Sequence, residues 1–402
     1  MTIKVHKDPY KFRPIVATCG TVLSALSSWL DYKLQQLKPY ISTYIKDSDD
    51  FRKQVHELGP LPPNARIITA DAKSMYTNID TDHALEILRS FLEELEAEGK
   101  LPLDFDIDMI LEAAALVVRW NIFEFGYCYF KQLIGTAMGT AAAVLWAIIY
   151  YYWHEKHVLI AKWSKKMPLL KRFVDDIFAI IKVGGQDGMT ADEWKIFKND
   201  INSFGILEWD IDEPSKQVDF LDLTLWIDGD KILTKTYQKP INLYQYITPT
   251  SAHPPGMIKS MIFGSLRRYF EQNSRTEDFW TIAMQLYHRL KARGWDRATL
   301  EPIFIAAYQR IQSPRQHRED SKPKDLTNRD LMILHIEYHP DDMPRRKIRE
   351  LYEKYCAEQF EQVLGIKRTI VAYSRPRNLR DLLQSAKLYQ MRGKEVSTFQ
   401  GG

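Results

Sequence analysis

The stretch Leu170-Lys171-Arg172-Phe173-Val174-Asp175-Asp176-Ile177-Phe178-Ala179-Ile180-Ile181 decides how the rest of the chain is read. It predicts a strand, a tight acidic turn and a second strand. Two adjacent carboxylates at the tip of so apolar a hairpin are hard to justify by stability, because like charges repel and at least one must face a cation or solvent. Earlier in the chain, Arg66-Ile67-Ile68-Thr69-Ala70-Asp71 predicts another short strand ending on a carboxylate. If the two strands are neighbours, Asp71, Asp175 and Asp176 suit a pair of Mg²⁺ ions, with Mn²⁺ as the alternative. These hard cations take oxygen ligands and leave positions for water and phosphate. Taken alone, an exposed hairpin tip explains an Asp-Asp pair more simply.

The 402 residues are 45% hydrophobic and 27% charged, which excludes a largely disordered chain. The net charge is only +3. Residues 255–312 and 313–402 each carry about +4 to +5 by counting, so the earlier part is near neutral or acidic. Such a division fits a polyanion binder that also binds cations; solvated helix faces are the plain alternative. Cys19, Cys128 and Cys356 are far apart and match neither a disulfide framework nor a zinc finger, so a reducing compartment is expected. The start, MTIKVHKDPYKF, lacks an apolar signal-peptide core. Residues 132–153 are uncharged and long enough to span a bilayer. They contain Gly135, Thr136, Gly139, Thr140 and three tyrosines, which favours a buried helix entered through a Gly-rich turn, with no membrane partner.

The pattern predicts helices within 21–45 and over 83–98, capped by Thr81 or Asp82, and over 106–120. A hairpin at 122–131 follows, then the buried helix at 137–156. A helix at 192–204 and strands at 217–225 and 231–237 come next; after His253-Pro254-Pro255-Gly256 the pattern is helical through Gln312. The tail predicts short helices separated by Pro323, Pro340 and Pro344. His154 and His157 sit at i, i+3 without a carboxylate motif, so they do not read as zinc ligands.

The strings ITADAKSMYTNID, QLIGTAMGT and LKRFVDDIFAI lie in this order. Together they resemble reverse transcriptases, most closely those of Penelope-like retroelements. RFVDDIFAI is similar to the YxDD-type hairpin, with Phe173 at the aromatic position, and ADAKSMYTNI to the first metal-binding strand. The resemblance extends to KVHKDPYKFRPIV and YIKDSDDF, similar to fingers segments, and to VDFLDLTL, similar to a primer-gripping strand pair. TYQKPINLYQYITPTSAHPP leads into a helical region ending in RLKARGW, and YSRPRNLRDLL resembles a sequence after the thumb. Two departures stand out: family members usually have a longer segment before KVHK, so shortened fingers are expected, and prolines commonly follow GTAMGT where Ala141-Ala142-Ala143 stands here.

The resemblance implies an α+β right-hand polymerase fold with an antiparallel palm sheet, partial fingers, a helical thumb and a basic helical C-terminal extension. The expected divisions are fingers at 1–65, palm at 66–250 with inserted fingers helices at 82–120, thumb at 251–312 and extension at 313–402. It implies RNA-directed DNA polymerase activity, with Asp71, Asp175 and Asp176 catalytic and metal-binding. Lys7 and Arg13 become triphosphate contacts, and Tyr76 a ring under the sugar that disfavours a 2′-hydroxyl. Ala72, Gly135, Met138 and Gly139 join the substrate site, the glycines allowing close approach to the base pair. Arg267, Arg268, Arg289, Lys291 and Arg293 become duplex-backbone contacts, while Trp280 and Trp295 read as thumb core. Asp219 and Asp222 read as structural or primer-side. The implied partners are an RNA or DNA template with a DNA primer, dNTPs and, because no GIY-YIG module follows NLRDLL, a separate endonuclease. An intracellular, preferentially nuclear location follows from that need. A non-catalytic nucleic-acid binder derived from a retroelement stays open as the alternative.

Overall fold

The computed structural model describes residues 2–4, 11–13, 16, 21–125, 128–254, 256–313, 331–339, 341–366 and 368–374. Lys7 and Cys19 lie outside these residues, as do most of YSRPRNLRDLL and the side chain of Arg13. The chain divides into two compact units, one of residues 1–243 with 271–280, the other of 244–270 with 281–402.

The first unit is built on a four-stranded antiparallel sheet. Its order is Leu169–Phe173, Asp176–Lys182, Ala65–Ala72 and Trp209–Ile211. Alternation along the strands splits the side chains between two cores. Ile68, Ala70, Ala72, Ile177, Ala179 and Ile181 face one, which is covered by helices Ser24–Gln35, Thr81–Ala97, Ile107–Arg119 and Ala143–His154. Ile67, Phe178 and Ile180 face the other. There Phe51 and Val55 of helix Ser48–His56 meet Phe220, Leu223, Leu225 and Ile232 of the meander Gln217–Phe220, Leu223–Asp228 and Lys231–Thr236. Burial on both faces explains why the central strands read as nearly unbroken apolar runs.

Three local expectations change. Asp80, rather than Thr81 or Asp82, caps its helix, accepting from the Asp82 and His83 amides at 3.0 Å; a short acid in an extended conformation just before the first helical residue is well placed to do so. The strand expected over 217–225 is broken by a two-residue turn at Leu221 and Asp222, since Phe220 pairs directly with Leu223. The buried helix begins at Ala143, since Gly139 has φ +122°, which no helix accommodates, and the Met138 carbonyl accepts from the Val16 amide at 2.9 Å instead of from a helical partner. From His154 it continues as a π-helical segment, Glu155–Ile160. Among the described residues, no helix is long and apolar enough to cross a membrane.

In the second unit, Ile262, Leu266, Leu286, Leu290 and Leu300 form a helical core. The tail is not purely helical as expected. Strands Leu331–Glu337 and Arg368–Ser374 pair in parallel around helices Arg345–Tyr355 and Ala357–Leu364. Parallel pairing requires a crossover, so it leaves no local signal comparable to a hairpin turn.

Candidate active site

Strand register assembles the site. Asp71 lies directly opposite Asp176 on one neighbouring strand and opposite Asp210 on the other. Directly opposed residues of antiparallel strands share a face, with Cβ atoms about 4.5–5.5 Å apart. Further along the same face, Ile67 and Phe178 are buried, whereas Asp71 is exposed and Asp176 half-buried. The three aspartates therefore form the wet rim of a sheet face that buries Ile67 and Phe178 further along.

Asp175 belongs to a two-residue turn, because Phe173 pairs with Asp176. Its carbonyl accepts from the Ala72 amide at 2.8 Å, which stitches the turn to the strand one residue past Asp71. The first turn residue, Val174, has φ +54°. Hairpin turns of this kind usually put glycine there, and a β-branched side chain in the left-handed region is unusual. Such backbone strain costs on the order of 1–3 kcal/mol and persists only where its surroundings over-determine it.

The carboxylates interact electrically. Burial, then the charges of Asp175 and Asp71, push the Asp176 carboxyl up to about 7, while Lys239 pulls it down. A divalent cation would relieve this crowding of negative charge, and carboxylate oxygen is its preferred donor. Among the described residues, however, no three His, Cys, Asp or Glu side chains are gathered into a ready metal cage. Like-charged oxygens have no reason to converge without a cation between them. Mg²⁺ typically uses one or two carboxylates and completes its shell with water and substrate phosphate, and the rim fits that use.

Sequence reading missed Asp210, Lys73 and Lys239. Lys73, two residues past Asp71 and so on the same face, lies 3.1 Å from Asp210 and 3.3 Å from Glu208. Hydrogen bonds to those two acids hold its ammonium above the ordinary lysine range. The pattern Asp-Ala-Lys at 71–73 carried that signal; nothing local marked Asp210, which only the third strand brings alongside.

The residues expected on the substrate side lie near the start of the helical core. The Ala72 side chain points into the helical core, so only its backbone borders the rim. Tyr76 sits on the short turn Met75–Thr77, partly packed on that core. Its carbonyl accepts from Thr136 at 2.7 Å, and the Gly135 amide donates to Ile79 at 2.8 Å. Gly135 has φ +79°, and a Cβ there would lie 2.3 Å from the Tyr76 carbonyl oxygen; at Gly139 it would lie 2.2 Å from that of Val16. At both glycines the chain's own backbone approaches too closely for a side chain. Met138 is half-buried beside them.

In the second unit, the Arg289 guanidinium lies 3.7 Å from the centre of the Tyr244 ring, and Arg293 donates to the Tyr246 carbonyl at 2.8 Å. These two arginines tie down the segment that precedes the helices. Arg268 is near the Tyr269 ring beside it in sequence, and Arg267, Arg268 and Lys291 are exposed. Trp295 donates to the Ile247 carbonyl at 2.8 Å, whereas Trp280, the last residue of the first unit, is 42% exposed rather than core. In the first unit, His154 bonds the Asp200 carbonyl and His157 lies 3.5 Å from Glu94. Asp219 accepts from Thr224 at 2.5 Å within the meander.

No family model matches the chain, and no curated protein matches it. Among solved structures, it is similar to telomerase from Candida albicans in complex with a fragment of telomeric RNA, at 13% identity and TM-score 0.48, over 73% of this chain and 54% of that one. Telomerase from Candida tropicalis truncated from its C-terminal domain gives 16% identity and TM-score 0.38, over 55% and 46%. The BmCPV RNA-dependent RNA polymerase at elongation state gives 13% and 0.40, over 61% and 22%. The chain thus spans about half the length of those telomerases.

Proposed function

We propose that the chain is an RNA-directed DNA polymerase that extends a DNA 3′ end with dNTPs. The observation that carries this reading is the register: Asp71 opposite Asp176, at the foot of a strained turn bearing Asp175. Two divalent cations, Mg²⁺ or Mn²⁺, would supply charge stabilisation for an oxygen-to-phosphorus displacement. Asp71 and Asp175 are the residues proposed to hold them, with Asp176 as the further oxygen donor. The 3′-hydroxyl loses its proton, its oxygen bonds the α-phosphorus, and pyrophosphate leaves.

The rest of the work is positioning, which can supply a large part of such a barrier. The paired strands hold the carboxylates on one face. Lys73 keeps a positive charge at the shoulder of the rim. In the same proposal, the Tyr76 ring disfavours a 2′-hydroxyl, and Arg267, Arg268 and Lys291 meet duplex phosphates. A template strand, a primer, a separate endonuclease and nuclear work also belong to this reading.

Primer extension on poly(rA)/oligo(dT), with a DNA template in parallel and with Mg²⁺ or Mn²⁺, tests it. Extension by the wild type, abolished in Asp175→Ala, is the expected result. Retained duplex binding without extension would make the chain a nucleic-acid binder instead.

A further inference from the structure

Arg172 is the bulkiest of the fully buried side chains, 2% exposed, and its partner Glu155 is 0% exposed. Arg172 Nε donates to Glu155 Oε1 at 2.6 Å and Nη2 to Oε2 at 3.1 Å. The same Nη2 reaches the Ile148 carbonyl at 2.8 Å, and Nη1 reaches the Val174 carbonyl at 2.9 Å. Thr43 Oγ1 donates to Glu155 Oε2 at 2.6 Å, while the Arg172 amide donates to the Thr43 carbonyl at 2.7 Å. The Tyr151 ring flanks the guanidinium, 5.4 Å away. Glu155 opens the π-helical segment, a local widening that often occurs at functional sites.

A buried ion pair is poor value for stability alone, because well-packed apolar side chains of similar volume often serve as well or better. The bond to Val174 gives this pair a different use. It grips the carbonyl of the left-handed residue immediately before Asp175, from within the core. The other side of the turn is held through the Asp175 carbonyl by Ala72. We infer that Glu155 and Arg172 are positioning residues: Glu155, steadied by Thr43, fixes the guanidinium fork, and the fork fixes the strained turn that aims Asp175. This rests on the polymerase reading for its consequence in catalysis, but not for its structural content.

The test replaces the pair without stranding a charge, using the double variant Glu155→Leu/Arg172→Met in the full chain. Hydrogen exchange across residues 170–178 should quicken about tenfold or more while peptides over 65–70 keep their protection. If the wild type extends primers, kcat should fall about a hundredfold while KM for dNTP stays within about twofold. Arg172→Lys, which keeps the charge but not the fork, should show the same split. Should the double variant not fold, Thr43→Val, which leaves both charges in place, should still quicken exchange at the turn. A folded variant with unchanged exchange at the turn overturns the inference whatever the activity. Unchanged kcat in a variant of an active wild type overturns its catalytic part alone. An inactive wild type sinks the polymerase reading, and exchange then still decides whether the pair holds the turn.

Discussion

Two turns in the first unit share one local design. Phe173-Val174-Asp175-Asp176 and Phe220-Leu221-Asp222-Leu223 both close a hairpin in two residues, with an apolar side chain at φ near +55° followed by an aspartate. Their surroundings differ. Asp175 adjoins two more carboxylates, and its turn is gripped at the backbone by Arg172 and Ala72. Asp222 accepts from Gln272 Nε2 at 2.6 Å, and its carbonyl accepts from the Tyr237 amide at 2.8 Å. One turn concentrates negative charge; the other spends its aspartate on tying two chain segments together. The same four-residue geometry therefore gathers charge or fastens chain segments according to what the neighbouring strands bring to it.

The largest separation between the turns should come from removing each aspartate. Asp175→Ala should cut primer extension by at least about a hundredfold without unfolding the chain. Asp222→Ala should leave extension within a few-fold but cost about 1–3 kcal/mol in denaturant melts, because Gln272 loses its acceptor. Equal loss of activity in both would mean that the two turns do not differ in role.

Next in size is a pH effect specific to the first turn. The Asp176 carboxyl titrates near 7 in the fold against 3.8 for the free group. Between those values the folded chain keeps a proton that the unfolded chain has released. Its stabilising contribution is thus present at low pH and lost as pH rises through about 7. In EDTA, Asp176→Asn should therefore gain melting temperature over wild type most clearly at pH 8 and least at pH 5. Adding Mn²⁺ at pH 8 should narrow that gap by stabilising the wild type.

A smaller effect separates the partners. Gln272→Leu leaves Asp222 without its side-chain donor and should cost about 1–3 kcal/mol, with kcat unchanged. The smallest effects concern the left-handed residues. Val174→Gly and Leu221→Gly each relieve backbone strain at the expense of packing, so stability should stay within about 1–2 kcal/mol of wild type in both. Turnover should fall only in Val174→Gly, where a looser turn mis-aims Asp175.

Much of this was readable without coordinates, and the reason is periodicity. Apolar runs interrupted by Asp71 and by Asp175 with Asp176 marked the strands of the sheet, and the uncharged 132–153 segment marked a buried helix. What escaped reading has one cause, dependence on partners distant in the chain. Asp80 could not be preferred over Thr81 as a cap until the helix start was known. The parallel pairing of 331–337 with 368–374 depends on a crossover. The glycines at 135 and 139 announced a close approach but not what would approach them.

The amino-acid order alone determined which residues are acidic, which strands are apolar and that a tight turn carries two adjacent aspartates, because those properties are local. Only the tertiary structure decided that Asp71 faces both Asp176 and Asp210, that Lys73 shares their face, and that a buried Glu155–Arg172 pair grips the Val174 carbonyl. Strand register and burial are set by contacts between segments far apart in sequence, and a one-residue slip would send every one of those side chains to the opposite face.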